Sequence, residues 1–211
     1  MDALILAAGL GSRMGSLTED LPKPLLKINN KTLISYALDI TSEFPFENIY
    51  VNSHYKGDQL KLYLNKKFPN VQISYEEKIL GTGGGIKKVQ GNDLFIMNTD
   101  NIWQTSFLIE IENSINHFSN HKEIENMLLV NSTLGEFDLE INDNRINFPS
   151  PNKNTKFQGC HILRNNSLNK YPHIFDIPTY WKECSKREKL YGYITFTNNP
   201  HIGTKELYLQ Y

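Results

Sequence analysis

The chain has 211 residues, with 22 lysines and arginines against 23 aspartates and glutamates, a net charge of −1. That length suits one domain with a substantial core, since chains near this size bury roughly 70% of their unfolded surface. The balanced charge speaks against a nucleic-acid binder or a polybasic membrane anchor, and no apolar run reaches the ~18 residues of a spanning helix.

In chain order, Asp2–Ala8 is a short apolar run that stops at Gly9, which suits a strand buried on both faces. A glycine-rich loop follows, then Leu21-Pro-Lys-Pro24, which proline keeps out of a helix interior. Lys31 to Phe44 has helical apolar spacing, residues 48–51 read as a strand, and Leu60 to Phe68 as a helix. Residues 71–75 alternate as a strand, Leu80-Gly-Thr-Gly-Gly-Gly85 opens a helix, and residues 93–98 form the next strand. This β-α-β-α-β-α-β order predicts right-handed crossovers and a mostly parallel sheet. In the second half, Met127–Val130 reads as a strand, residues 137–148 as a hairpin around the polar turn Asn142–Asn144, and Thr155–Leu163 as a strand. A helix interrupted at Pro178 is expected over Ile174–Lys186, a last strand over Tyr191–Phe196, and a short helix within 203–210. With no repeat or low-complexity linker, the second half is expected to extend the same sheet. Cys160 and Cys184 lack metal or disulfide-framework spacing, and the N-terminus lacks a basic-then-apolar leader. Reduced thiols and a cytoplasmic location are therefore expected.

Four segments carry chemistry. In Leu6-Ala-Ala-Gly-Leu-Gly-Ser-Arg-Met-Gly15, glycines let backbone amides approach phosphate oxygens, and Arg13 adds a planar donor fork. The spacing fits neither the dinucleotide fingerprint nor the Walker loop, so a plain strand-to-helix turn with a surface arginine is the competing reading. Lys23, between two prolines, sits on stiff backbone and is either a point charge for phosphate or a solvated lysine on a rigid loop. Residues 80–85 place four glycines within five positions, which suits a close approach by a nucleobase, a ribose or an anion, or else a flexible loop. Asp100 lies just past the carboxyl end of a buried strand, where open α/β sheets bind ligands. It is a candidate Mg²⁺ ligand, or alternatively a helix cap.

Together these motifs resemble the sugar-1-phosphate nucleotidylyltransferases, and among them the N-acetylmuramate-1-phosphate uridylyltransferases of bacterial cell-wall recycling. Val51-Asn-Ser-His-Tyr55, Phe157-Gln-Gly-Cys-His-Ile-Leu163 and Gly203-Thr204 are similar to further motifs of that family, so the resemblance covers nearly the whole chain. It implies an α/β fold: a Rossmann-like, mostly parallel central sheet with helices on both faces, plus a small mixed-β sugar-binding lobe. Residues 1–105 would form the nucleotide-binding half and 106–211 the sugar-binding half. The implied reaction condenses a nucleoside triphosphate, UTP favoured, with a sugar 1-phosphate, N-acetylmuramate 1-phosphate favoured, and releases pyrophosphate. Arg13 and Lys23 would be catalytic, and Ala8, Gly9, Gly11, Ser12, Gly81, Thr82, Gly83 and Asn98 would join them in nucleotide binding. Asp100 would hold Mg²⁺, or Mn²⁺, with His201 as a second candidate ligand. Glu136 and Gly159 are candidate sugar contacts.

Two positions depart from the family pattern. Asn98-Thr99-Asp100 stands where the broad family has Asn-Gly-Asp, and Asn199-Pro-His-Ile-Gly-Thr204 puts His201 where it has a metal-binding aspartate. Imidazole suits softer metals than Mg²⁺, so either Asp100 works with phosphates and water or His201 meets phosphate directly. The alternatives are a heptose-1-phosphate guanylyltransferase, a phosphocholine cytidylyltransferase, or a nucleotide-binding regulator without catalysis. Segment 131–136 is shorter than the family's loop, which implies a smaller or more open sugar pocket. The chain's end soon after Gly203-Thr204 is read as leaving out the C-terminal domain of longer relatives. His117 and His121, four apart on one helix face, lack a third ligand and read as a solvated helix end.

Overall fold

A computed structural model describes residues 1–133 and 135–211. Leu134, within the 131–136 segment, lies outside the described residues. The first half runs β1 (Asp2–Leu6), β2 (Lys27–Ile28), β3 (Lys31–Thr32), α1 (Leu33–Ser42), β4 (Ile49–Ser53), α2 (Gly57–Lys67), β5 (Gln72–Tyr75), α3 (Gly81–Val89) and β6 (Leu94–Asn98). The second half runs α4 (Leu108–Asn120), β7 (Asn126–Asn131), β8 (Glu140–Asn142), β9 (Arg145–Asn147), β10 (Lys156–Leu163), α5 (Ile177–Lys186), β11 (Leu190–Ile194) and α6 (Lys205–Tyr208).

Nine strands form one sheet in the order β5-β4-β1-β6-β10-β7-β11-β9-β8, and β2 pairs with β3 separately. The neighbours from β5 to β6 are all parallel, as the alternating strand and helix order requires. β10 runs antiparallel to both β6 and β7, while β11 is parallel to β7. The second half thus continues the sheet of the first, and its mixed strands are part of that sheet.

The pleat sorts the core into two layers. Ile5, Phe95 and Met97 point to one face, covered by Ala37 and Leu38 of α1, Leu60 and Leu64 of α2, and Ile111 and Phe118 of α4. Leu4, Leu94 and Ile96, each next in sequence, point to the other, covered by Ile86 of α3 and Ile177, Tyr180 and Trp181 of α5. Helix α1 starts where Thr32 turns its hydroxyl to accept from the Ser35 amide at 3.3 Å, a capping bond of the usual kind.

One expectation changes. Helix α5 is not interrupted at Pro178: it begins at Ile177, so the proline falls in the first turn, where no amide donor is needed. His117 and His121 lie at the C-terminal end of helix α4, the helix-end position read for them from sequence. Those two rings stack at 4.1 Å at its C-terminal end, and His121 Nδ1 donates to the His117 carbonyl. Among the described residues, no group of three or more His, Cys, Asp or Glu is gathered to hold a metal. Cys160 and Cys184 are free and buried, and no described helix is long and apolar enough to cross a membrane.

Candidate active site

A cavity of about 410 Å³ opens at the carboxyl ends of β1, β4, β5 and β6, the edge where parallel sheets bind ligands. Its floor and walls come from loops that different interactions hold in place.

The loop after β1 supplies Ala8, Gly9, Gly11, Ser12 and Arg13 to the lining. Met14 anchors it from below: the side chain is fully buried against Leu26, Ile28, Leu33 and Ile202. The Thr18 hydroxyl, 3.2 Å from the Gly11 carbonyl and 3.1 Å from that of Gly15, ties the turn together. Among the described residues, the amides of Gly9 through Arg13 donate to no group of the chain. Uncommitted amides beside an exposed arginine suit an anion.

Lys23 follows Pro22, which is extended, and opens a short 3-10 turn with Pro24 and Leu25 buried behind it. Its ammonium lies 3.0 Å from Asp100 Oδ2, a pair formed across 77 residues of sequence. Their side chains are only 12% and 17% exposed. Asp100 leaves the end of β6, where the neighbouring Thr99 hydroxyl donates to the Leu6 carbonyl at 2.9 Å and locks β6 to β1. The other Asp100 oxygen, Oδ1, is buried without a hydrogen-bond partner. It lies 3.7 Å from His201 Nδ1. A buried, unpartnered carboxylate oxygen fits a hard cation, which takes one or two carboxylates and completes its shell with phosphates and water. His201 does not line the cavity; its ring stacks over Gly203, which does. Burial holds this imidazole below its ordinary value, against the pull of Asp100 and with Lys23 and Arg13 adding to it.

The opposite wall is Ile79, Gly81 and Thr82 at the start of α3, with Asp176 from the second half. Here the chain itself fills the space its glycines leave. A Cβ on Gly83 would sit 2.4 Å from the Phe175 ring, and one on Gly84 would sit 2.3 Å from the His173 carbonyl. Backbone bonds from Phe175 N to Leu80 O and from Gly84 N to Phe175 O dock residues 173–176 onto α3. Asp176 Oδ1 accepts from the Thr82 amide at 3.3 Å, so that amide is committed.

Of the residues sequence nominates, Ala8, Gly9, Gly11, Ser12, Arg13, Lys23, Gly81, Thr82, Asn98 and Asp100 share this cavity. Gly83 does not line it and serves packing instead. Glu136 stands away from it, 93% exposed and 3.8 Å from Lys156 Nζ. Gly159 also lies outside the lining: with φ of 78° it sits at the bulge where β10 shifts register against β7, and a Cβ there would meet Asn101 Oδ1 at 2.6 Å. The structure adds Asn52, Glu76 and Asp176 to the lining. Asn52 and Glu76 stand at the ends of parallel strands β4 and β5, so the rule that singles out Asp100 also points to them. Asp176 has no local signal, because only long-range packing brings it to the site.

The sequence profile of the MobA-like NTP transferase domain matches residues 3–108. The chain is 39% identical over 111 residues to the N-acetylmuramate alpha-1-phosphate uridylyltransferase of Caulobacter vibrioides, covering 48% of this chain and 46% of that protein. It is 32% identical over 117 residues to the D-glycero-alpha-D-manno-heptose 1-phosphate guanylyltransferase of Aneurinibacillus thermoaerophilus, covering 53% and 49%. The matched stretch thus spans about half the length of these curated relatives. A crystal structure of HddC from Yersinia pseudotuberculosis complexed with GMP-PN superposes with a TM-score of 0.75 at 23% identity, covering 99% of this chain and 96% of that one, a likeness of fold.

Proposed function

The chain belongs to the MobA-like NTP transferase domain family, and from that premise we propose that it is a metal-dependent sugar-1-phosphate nucleotidylyltransferase. The observation that carries this reading is the Lys23–Asp100 pair, set in one cavity with Arg13 and the uncommitted amides of the loop after β1. That set concentrates positive charge and donors on one side of the cavity while the whole chain stays near neutral.

In the proposed reaction an oxygen of the sugar 1-phosphate attacks the α-phosphorus of the triphosphate in line. The new P–O bond forms as the bond to the β-phosphate oxygen breaks, and pyrophosphate leaves. No general base is needed, because a phosphate monoester's second pKa is about 6. Catalysis then rests on positioning and charge neutralisation. Arg13 and the loop amides bind the triphosphate and the leaving pyrophosphate. Lys23, held beside Asp100 by their 3.0 Å pair, meets the α-phosphate and the incoming phosphate. Asp100 would hold Mg²⁺ or Mn²⁺ through its unpartnered oxygen, and the ion would neutralise phosphate charge. Gly81, Thr82 and Asn98 border the nucleoside, with residues 1–105 as the nucleotide half and 106–211 as the sugar half.

UTP and N-acetylmuramate 1-phosphate are the favoured pair, supported by the uridylyltransferase relative. GTP with a heptose 1-phosphate is the second reading, supported by the guanylyltransferase relatives. Two free, buried thiols fit a cytoplasmic setting. The test is pyrophosphate release from UTP, GTP, CTP and ATP, each with N-acetylmuramate 1-phosphate, heptose 1-phosphate or phosphocholine, in Mg²⁺ and again in Mn²⁺. Turnover with one sugar 1-phosphate supports the reading. Tight triphosphate binding with no release from any pair would overturn it in favour of a nucleotide-binding regulator.

A further inference from the structure

Glu76 is 1% exposed yet lies against the cavity, and a buried carboxylate persists only where its oxygens are bonded. Its Oε1 accepts from Asn52 Nδ2 at 2.9 Å, and its Oε2 accepts from the Leu80 amide at 3.1 Å. Asn52 in turn uses its Oδ1 to accept from the Ala7 amide at 2.6 Å. One unbroken series of hydrogen bonds therefore runs from the exit of β1, across β4 and β5, to the first turn of α3. Its two ends are the roots of opposite cavity walls: Ala7 leads into the Gly9–Arg13 loop, and Leu80 leads into Gly81 and Thr82. Gly85 makes room for the series, since a Cβ there would lie 2.8 Å from both Asn52 Nδ2 and Glu76 Oε1.

From this we propose that Glu76 is a positioning residue for the nucleotide, acting through Asn52 and the Leu80 amide to fix the distance between the phosphate-side loop and the nucleoside-side turn. The proposal rests on the nucleotidylyltransferase reading for the identity of the ligand. Its polarity is fully determined. Asn52 must accept at one end and donate at the other, and Glu76 must accept at both. In Glu76→Gln the new amide NH₂ faces the Asn52 NH₂ or the Leu80 amide, and turning Asn52 over only moves the clash to Ala7. In Asn52→Asp two carboxylates face each other in a buried site. The double variant restores every bond. The carboxylate introduced at position 52 accepts from Ala7 N and from the side-chain NH₂ introduced at position 76. The amide oxygen at position 76 accepts from Leu80 N, and the net charge is unchanged.

The experiment measures the dissociation constant and KM of the triphosphate the wild type uses, with the thermal midpoint, in wild type, Asn52→Asp, Glu76→Gln and the double variant. Each single change is expected to weaken triphosphate binding at least about tenfold, the scale of one unmade buried hydrogen bond. The double variant is expected to return within about threefold of wild type, the small residual typical of a closed double-mutant cycle. Singles that lose stability but bind like wild type overturn the proposal, as does a double variant that folds yet still binds weakly. If the singles do not fold, the double variant alone decides. A wild type that neither binds nor turns over any triphosphate instead overturns the functional reading.

Discussion

Two glycine-rich segments border the same cavity, and Gly9 in one is used in the opposite way to Gly83 and Gly84 in the other. In the loop after β1, a Cβ on Gly9 would meet nothing within 4 Å, although one on Gly11 would meet side-chain carbons of Lys23 and Thr18 at 3.1 Å, and among the described residues the amides of Gly9 through Arg13 donate to no group of the chain. At the start of α3, the space beside Gly83 and Gly84 is filled by Phe175 and the His173 carbonyl. The first segment is open to a ligand; the second mainly receives another part of the chain. Glycine content alone does not separate these uses, whereas the atoms a Cβ would meet do.

The largest effect expected from this contrast is on turnover. Arg13→Ala should lower kcat by about 10²–10³, the usual consequence of removing a preorganised donor to developing charge. The thermal midpoint should stay near wild type, because the Arg13 side chain is exposed. An unchanged kcat/KM would remove Arg13 from the phosphate site.

Gly84→Ala should act on stability instead. Alanine improves helix propensity by about 1 kcal/mol, but overpacking costs about 1–3 kcal/mol, and the clash is with backbone, which cannot turn aside. Net destabilisation of about 1 kcal/mol or more in denaturant unfolding is expected, and a stabilised variant would mean that residues 173–176 dock less tightly than the structure has them.

Acid should weaken the second half through His161. Burial beside Trp181, and within hydrogen-bond distance of Asn126, pushes its pKa down to about 3. The unfolded chain takes up a proton below its ordinary value near 6.5, and the folded chain does not until about pH 3. Stability contributed by the neutral ring is therefore complete above pH 6.5 and falls as pH drops toward 3. The decrease from pH 7 to 5 is about 2 kcal/mol for this group. In His161→Gln the unfolding free energy should vary less with pH over that window; an identical slope would contradict the assignment.

The smallest effect on stability belongs to Gly9→Ala, expected to stay within about 0.5 kcal/mol because nothing crowds the site. Its triphosphate KM should nevertheless rise, since the methyl group enters space the ligand would use. An unchanged KM would show that this part of the loop does not approach the nucleotide.

The same contrast explains what sequence reveals. Strands β1, β4, β5 and β6 are legible because each is a short apolar or alternating run between clear breakers, and Arg13 and Asp100 lie in the segments that directly follow β1 and β6. Lys23 and Asp100 are each ambiguous alone, and only the fold shows them 3.0 Å apart. Gly83 misleads because a close approach by Phe175 and one by a ligand demand the same residue. Pro178 misleads because its meaning depends on whether it falls in a first turn or an interior. Asp176 is invisible because docking across some ninety residues of sequence puts it on the wall.

The central claim, that Lys23 serves phosphoryl chemistry in this cavity, is tested most directly by single-turnover pyrophosphate release from wild type and Lys23→Ala with saturating triphosphate and sugar 1-phosphate. Wild type should release pyrophosphate in step with nucleotide-sugar formation. The variant should do so about 10²–10³ times more slowly while still folded. Equal rates in the two proteins would contradict the account.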